Sequence, residues 1–337
     1  MSIPDEKREA VARALLSAFG TASLDAPPVR LSGGLSGATL LRIRVGAIAY
    51  VLRIEPPNPL SGQGSAARTY ACMRSAADAL LAPRVWYADA EDGISIVDLV
   101  PQAPLAEYPG DGEALIAELA QSLHVLHALP PFPEATEFLP GVAGLIGAYR
   151  AAPLMPGSAT EEVFARFEDL SARYRPRPED LVASHNDLNP ANILFDGRRL
   201  WLIDWEVAFR ADRWLDLAAV ANWFIEDAAR EDLLLRTYLK AEPTADQRDR
   251  LRLMRIANHV YYGVVFLLGA AAERPGASVP GDLGGPTLSE LRQGLRTGDF
   301  DITAWENRVL YGKARLAEAL AGFRGGACEA ALQRLAA

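Results

Sequence analysis

The 337-residue sequence is poor in cysteine, with two, Cys72 and Cys328, and poor in histidine, with four. Two distant cysteines make neither a disulfide framework nor a metal-ligand spacing, which excludes a stapled secreted scaffold and fits a reducing cytosol. Positive charge is in deficit: 34 Lys and Arg against 43 Asp and Glu leave a formal net charge of −9. No long basic run occurs, so no nucleic-acid partner is expected, while a local basic pocket for a phosphate stays open. The longest apolar run, VYYGVVFLLGAAA, is too short to span a bilayer. The N-terminus, MSIPDEKREAVARALLSAFG, is charged and amphipathic, unlike a secretory signal. There is no internal repeat, no low-complexity tail, and no stretch that marks an interface between copies. These absences lead to the expectation of a cytoplasmic protein without a membrane span.

Half of the residues are hydrophobic and 23% are charged, the balance of a chain with a sizeable core. The length exceeds one average domain and suggests two domains or one large bilobal unit. Residues 5–19 read as an amphipathic helix ending at Gly20. Val29 to Leu31, Thr39 to Val45 and Ile48 to Ile54 read as strands, rich in β-branched and aromatic residues. A helix suits 65–81. RVWYADA and GISIVDLV read as two more strands around the turn signal Asp92-Gly93. From Asp111, a helix cap, the chain reads mostly helical, at 111–129 and at about 159–173, 212–239, 244–272 and 301–322. The expected class is α+β, with a sheet-rich lobe at 1–101 that carries a helix and a mostly helical lobe at 102–337.

One stretch breaks the helical pattern. In SHNDLNPANILFDGRRLWLIDW, residues 184–205, two short apolar runs flank Asp196-Gly197, a hairpin signature. Asp187 and Asn192 lie in the loop before the first strand, and Asp204 ends the second. The fold-back allows Asn192 and Asp204 to face one another. An amide oxygen and a carboxylate are hard ligands, suited to Mg²⁺ that also holds phosphate oxygens. Asp187 lies on the same loop and could reach a substrate hydroxyl. Phosphoryl transfer asks for this set: a positioned base, metal on the phosphates, and little covalent work by the protein. Each residue alone would more simply be a turn former or a cap. Their combination with the hairpin is what carries the reading.

The segment HNDLNPANILF…LWLIDWEVA resembles the aminoglycoside phosphotransferase and choline kinase superfamily, whose fold is similar to that of protein kinases. The resemblance implies a bilobal protein-kinase-like fold, ATP as co-substrate and Mg²⁺. It implies Asp187 as catalytic base and Asn192 and Asp204 as metal ligands, with His185 a structural residue of the loop. The glycine loop LSGGLSGAT is similar to the nucleotide clamp of choline-kinase-like proteins and makes Ser32, Gly34 and Ser36 candidate contacts; Gly37 stands where that pattern has Asn. Arg53, in YVLRI, would meet the α- and β-phosphates. Backbone from Asp98 to Val100 would be the hinge that holds adenine. A helical Glu usually holds the basic residue, yet the expected position is Thr69, and no acid occurs between Glu55 and Asp78. Either Arg53 is held otherwise or the clamp is weakened.

Beyond Asp204 the likeness is to the choline/ethanolamine kinase branch. There Asp216 matches an aspartate that braces the catalytic loop, and Glu226 a carboxylate of the substrate pocket. NHVYYGVVFLL is similar to the helix carrying that branch's aromatic cage, with Tyr262 and Val265 at cage positions. Trp205, Trp223, Glu226, Asp227 and Tyr262, with Tyr261 beside them, are therefore candidate acceptor contacts. An aromatic face and a carboxylate suit a cationic head group. The expected activity is transfer of the γ-phosphoryl group of ATP to a small-molecule alcohol, foremost an amino alcohol such as choline or ethanolamine. An aminoglycoside, thiamine, a sugar or homoserine remains open as acceptor, and so does a nucleotide-binding regulator with lost activity.

Overall fold

The computed structural model describes residues 3–31, 37–56, 65–155 and 157–336. In chain order the elements are α1 (Arg8–Phe19), β1 (Val29–Arg30), β2 (Thr39–Val45), β3 (Ile48–Ile54), α2 (Ala66–Asp78), β4 (Val85–Asp89), β5 (Ile94–Asp98), α3 (Gly112–His127), α4 (Phe138–Ala151), α5 (Ser158–Arg173), β6 (Leu181–Ser184), β7 (Ile193–Phe195), β8 (Leu200–Leu202), β9 (Phe209–Asp212), α6 (Arg213–Phe224), α7 (Ala228–Leu239), α8 (Ala245–Glu273), α9 (Leu288–Thr297), α10 (Trp305–Arg324) and α11 (Gly326–Ala336). The class is α+β, as expected. The chain forms two compact units, one of 1–135, 181–216 and 223–241, the other of 136–180, 217–222 and 242–337.

The first unit carries a five-stranded antiparallel sheet in the order β1-β2-β3-β5-β4. β2 and β3 fall where the alternation of apolar and polar residues puts them, joined at Gly46, whose φ of 63° suits glycine. In β3 the residues Tyr50, Leu52 and Ile54 point into the core. There they meet Leu41, Ile43, Ile94 and Ile96 and, from α1, Val11, Ala14 and Leu15. Burying each large side chain contributes about 1.5–3 kcal/mol relative to exposure. α1 ends at Gly20 in the left-handed region, where a glycine costs least. α2 is shorter than expected: it stops at Asp78, and Leu80 takes a positive φ of 61°.

Two short antiparallel pairs, β6 with β9 and β7 with β8, complete this unit's strands among the described residues. The hairpin is tied on both sides. Ala103 N donates to Phe195 O (2.8 Å), and Leu202 N donates to Leu81 O (2.8 Å). α3 starts at Asp111, whose carboxylate accepts from Glu113 N and Ala114 N. The single helix expected at 212–239 is two, α6 and α7. Asp227 makes the break, because its side chain caps α7 by accepting from Arg230 N.

The second unit is helical. α4 was not expected, and its sequence, FLPGVAGLIGAYRA, explains why: one proline and three glycines give it little intrinsic helicity. Packing decides instead, since Leu139, Val142, Ile146 and Tyr149 share one buried face. α9 and α11 were also not expected. α9 opens with a capping box of Thr287 and Glu290. The apolar run judged too short to span a bilayer lies inside α8, a helix of 29 residues that is long and apolar enough to cross a membrane by length and composition. Fourteen of its residues, among them Leu251, Met254, Val260 and Leu267, are buried within the protein, and its most apolar window is 56% buried. That is the pattern of a core helix, and Gly263 meets Gly312 of α10 at a close crossing that a Cβ would block.

Candidate active site

The loop after β6 is built around one buried carboxylate. Asp216, fully buried at the start of α6, accepts from Ser184 Oγ (2.9 Å), His185 N (2.8 Å), Asn186 N (2.7 Å) and His127 Nε2 (3.0 Å). Burial alone would raise its pKa. The His127 hydrogen bond, the nearby histidines and the loop N–H groups outweigh that and hold it below the usual carboxylate range. His127 is lowered by burial, with Asp216 pulling the other way. A neutral imidazole donating to an ionised Asp216 fits both directions, and Nδ1 then accepts from Tyr238 OH (2.8 Å).

This anchoring fixes the residues that follow. Asn186 takes a positive φ of 66° and donates through Nδ2 to Val207 O (2.8 Å). His185 bonds Ile203 O through Nε2 (2.8 Å) and accepts from Asp187 N at Nδ1 (3.3 Å). It is the structural loop residue that the sequence suggested. Asn189 caps a 3₁₀ turn that delivers Asn192. Asn192 Nδ2 donates to Asp187 O (2.9 Å) and Asp187 Oδ2 (3.0 Å), so the amide nitrogen is spent and its oxygen is kept as acceptor. The hairpin then returns the chain: Ile203 N donates to Asn192 O (3.0 Å), which sets Asp204 one residue beyond Asn192's partner.

Asp204 has a φ of 67°, a left-handed conformation that Asp tolerates better than most residues. Its Oδ1 is buried without a hydrogen-bond partner. Burial raises its pKa; Arg53 and His185 oppose that, and Asp187 and Glu55 add to it. An orphaned buried carboxylate oxygen is costly unless something positive completes it. With the Asn192 oxygen on the same hairpin, the donor set fits Mg²⁺, which binds through one or two protein oxygens plus phosphates. Among the described residues there is no group of three or more His, Cys, Asp or Glu that could hold a metal without such help.

Arg53 is held otherwise than by α2. Its Nε donates to Glu55 Oε1 (2.8 Å), its Nη2 to Glu55 Oε2 (3.2 Å), and its Nη2 also pairs with Glu206. Thr69, at the expected position of the helical acid, is buried. Its neighbours take over the link: Tyr70 OH donates to Glu55 Oε1 (3.3 Å), and Arg68 donates to Glu206 O (2.6 Å) and Ala208 O (2.9 Å). Glu55 lies two residues after Arg53, just past the end of β3, and a spacing of two along an extended chain keeps a shared face. Glu206, two residues after Asp204, was in the quoted motif but had been given no task.

The remaining candidates scatter. Ser32, Gly34 and Ser36 lie outside the described residues. Asp98 accepts from Trp86 Nε1 (2.7 Å), and Val100 is buried. Trp205 is 3% exposed, packs on His185 and Phe132, and donates to Leu202 O (3.3 Å), which makes it part of the core under the loop. Trp223 is half-buried near the end of α6. Glu226 is exposed, and Asp227 is the α7 cap, each within 4 Å of Arg230, at 3.9 and 3.8 Å. Tyr262 belongs to the second unit and is buried beneath the guanidinium of Arg315, 4.8 Å from the ring centroid.

Comparison with known proteins bears on the fold and the family. A thiamine kinase of Shigella boydii serotype 4 is 29% identical over 212 residues, covering 63% of this chain and 71% of that protein. The thiamine kinase of Escherichia coli K12 matches over the same extent at 29%. Among solved structures, a choline/ethanolamine kinase family protein from Mesorhizobium loti aligns with a TM-score of 0.68 at 19% identity, covering 98% of this chain and 99% of that one. Choline kinase LicA from Streptococcus pneumoniae aligns with a TM-score of 0.64 at 15% identity over 94% and 99%. At these identities the likeness shows the fold, which is kinase-like as expected. Residues 29–254 match the family described as the phosphotransferase enzyme family, and the chain belongs to it.

Proposed function

We propose that this small-molecule kinase transfers the γ-phosphoryl group of ATP to a hydroxyl group through Asp187, with Asn192 and Asp204 as the residues that would hold Mg²⁺. The bound ion would offset charge on the phosphates. Asp187 orients the acceptor O–H and takes its proton as the alcohol oxygen bonds to the γ-phosphorus. The bond from that phosphorus to the β–γ bridging oxygen breaks, and ADP leaves with the pair. Arg53, held by Glu55 and Glu206, faces the nucleotide phosphates. The glycine loop and the backbone near Asp98 and Val100 complete the nucleotide site in the lobe of residues 1–101, and residues 102–337 supply the catalytic loop. The observation that carries this reading is the pairing of Asp187 with Asn192 beside the partnerless Asp204 Oδ1.

The acceptor class follows from likeness. The thiamine and choline kinases among the relatives are named for alcohols with a positive nitrogen. An amino alcohol is therefore the acceptor proposed. The regulator reading drew on Thr69, and the two carboxylates on Arg53 remove that motive. A coupled assay of ADP release with hydroxylated amines, with and without Mg²⁺, tests the proposal. Turnover that requires both is expected. Metal-independent turnover, or full activity in Asp187→Asn, would refute it.

A further inference from the structure

Within the first unit, α2 carries a cation where a helix tolerates one least. Arg68 stands in the first turn of α2, where the Ser65 cap accepts from Arg68 N (3.2 Å), and that turn has no acidic residue. A positive charge there opposes the helix dipole. Its side chain is nonetheless fully buried, and an arginine is seldom buried without partners. Glu134 is a weak one: it lies 3.7 Å from Nε and is itself exposed, and Nε has no hydrogen-bond partner. What the guanidinium holds is backbone. Nη1 donates to Ala208 O (2.9 Å) and Nη2 to Glu206 O (2.6 Å), with Cζ 3.5 Å from the centroid of the Phe209 ring. One turn along the same face, Cys72 Sγ also donates to Ala208 O (3.7 Å). Burial pushes the Cys72 thiol up to about 12, so it stays an S–H donor.

Those carbonyls belong to the segment that follows Asp204. Val207 O, between them, accepts from Asn186 Nδ2 (2.8 Å). Three successive carbonyls are therefore held, the outer two from α2 and the middle one from the loop of Asp187. The side chain of Glu206 pairs with Arg53. A carboxylate can keep a guanidinium in one place only if its own backbone is fixed. The two bonds from Arg68 supply that fixing. Arg53 in turn is the strongest of the influences that oppose the effect of burial on Asp204. A line of contacts thus runs from α2 through Glu206 to Arg53 and the Asp204 carboxylate.

We infer that Arg68 is a positioning residue of the nucleotide site: by fixing the backbone at Glu206 and Ala208 it sets the Glu206 carboxylate against Arg53. The inference rests on the reading of Arg53 as a contact of the nucleotide phosphates. It explains how Thr69 can stand where a helical acid is expected. α2 steers Arg53 through a cation one step removed, from guanidinium to carbonyl and from carboxylate to guanidinium, instead of through an acid of its own. A planar fork suits the task, because it meets both carbonyls at once, which a single ammonium does less well.

Steady-state kinetics and calorimetric titration of the full chain with ATP and Mg²⁺ test this. Arg68→Met and Glu206→Gln should each raise KM and Kd for ATP about tenfold, the loss of one charge-assisted hydrogen bond, and leave KM for the amino alcohol unchanged. Arg68→Lys, which keeps the charge, should recover part of the loss. The double variant should be no weaker toward ATP than the weaker single, because one residue acts through the other. A merely structural Arg68 would lower the urea midpoint and leave KM for ATP unchanged. That result, a lowered KM for ATP, or losses that add in the double variant overturns the inference. If Arg68→Met and Arg68→Lys both fail to fold, hydrogen exchange in the wild type decides. ATP with Mg²⁺ should slow exchange in α2 around Arg68 together with residues 206–208, and protection of 206–208 alone overturns the inference. Wild-type protein that binds no ATP overturns the kinase reading itself. Wild-type turnover of ATP with an unchanged KM in Arg68→Met overturns this inference and leaves that reading standing.

Discussion

Two of the buried charge centres among the described residues are built in opposite ways. Asp216 in the first unit is a lone anion wrapped by four donors of its own chain. The arginine cluster of the second unit gathers three cations, Arg255, Arg292 and Arg315, around a neutral histidine. The first centre is complete, and its product is shape: it fixes the path of residues 184–187. The second brings groups of one sign near an imidazole, and its product is a His259 held well below the ordinary histidine range. A buried carboxylate wrapped by donors fixes a loop, and cations beside a buried imidazole keep it uncharged.

That contrast can be broken at several points. The largest effect belongs to the residue the first centre positions. Asp187→Asn should lower kcat by about 10²–10⁴-fold, the share of a positioned base, while ATP binding measured by calorimetry changes little. Loss of ATP binding in parallel would point to a structural role for Asp187 instead.

Next is the first centre itself. Asp216→Asn removes the charge and turns one acceptor toward donors, so stability should fall by about 3–5 kcal/mol in urea unfolding, as for other broken buried pairs. A loss below about 1 kcal/mol, the value of an ordinary hydrogen bond, would show that the hub is dispensable.

Acid should separate the centres. His127 and His259 are both held below the ordinary range by burial, so the unfolded chain takes up protons below about pH 6.5 that the folded chain refuses. The stability this gives is complete above that pH and is lost as pH falls toward the folded values, by up to ~1.4 kcal/mol per pH unit for each histidine. Asp216, also depressed, extends the loss below about pH 3.9, where unfolded carboxylates protonate. Urea midpoints between pH 7.5 and 5 measure this.

The smallest effect concerns Asp204. Its folded pKa is raised by burial, so its ionised form opposes folding as pH rises through that value. Asp204→Asn should therefore raise the melting temperature of the free protein by on the order of 2 °C, about 1 kcal/mol or less, and abolish stabilisation by Mg²⁺ with ATP. A lower melting temperature would mean that the carboxylate is already satisfied without metal.

Much of the loop and hairpin at 184–205 was legible because its signals are local. Asp196-Gly197 between two apolar runs specifies a hairpin, and β7 and β8 pair with Ile193 opposite Leu202 across it. β2 and β3 were legible for the same reason, since a period of two leaves little choice of face. α4 was not, because its proline and glycines hide a buried face that only tertiary packing rewards. Asp227 looked like a pocket carboxylate until its hydrogen bond to Arg230 N made it a cap. The Arg53 clamp was sought on a helix and lies on Glu55, just past the end of its own strand, and on Glu206, 153 residues away.

The sequence by itself determined the chemistry available: an aspartate, an asparagine and a second aspartate on a fold-back loop, and strands whose alternation fixes their faces. Local spacing suffices there, because hairpins and strand faces depend on neighbours in the chain. Only the tertiary structure decided which carboxylates hold Arg53, that Asp204 Oδ1 is left without a partner, and that Arg255, Arg292 and Arg315 meet at His259. Each of those facts joins residues from separate elements, and electrostatic energy depends on distance in space, which the sequence order does not carry.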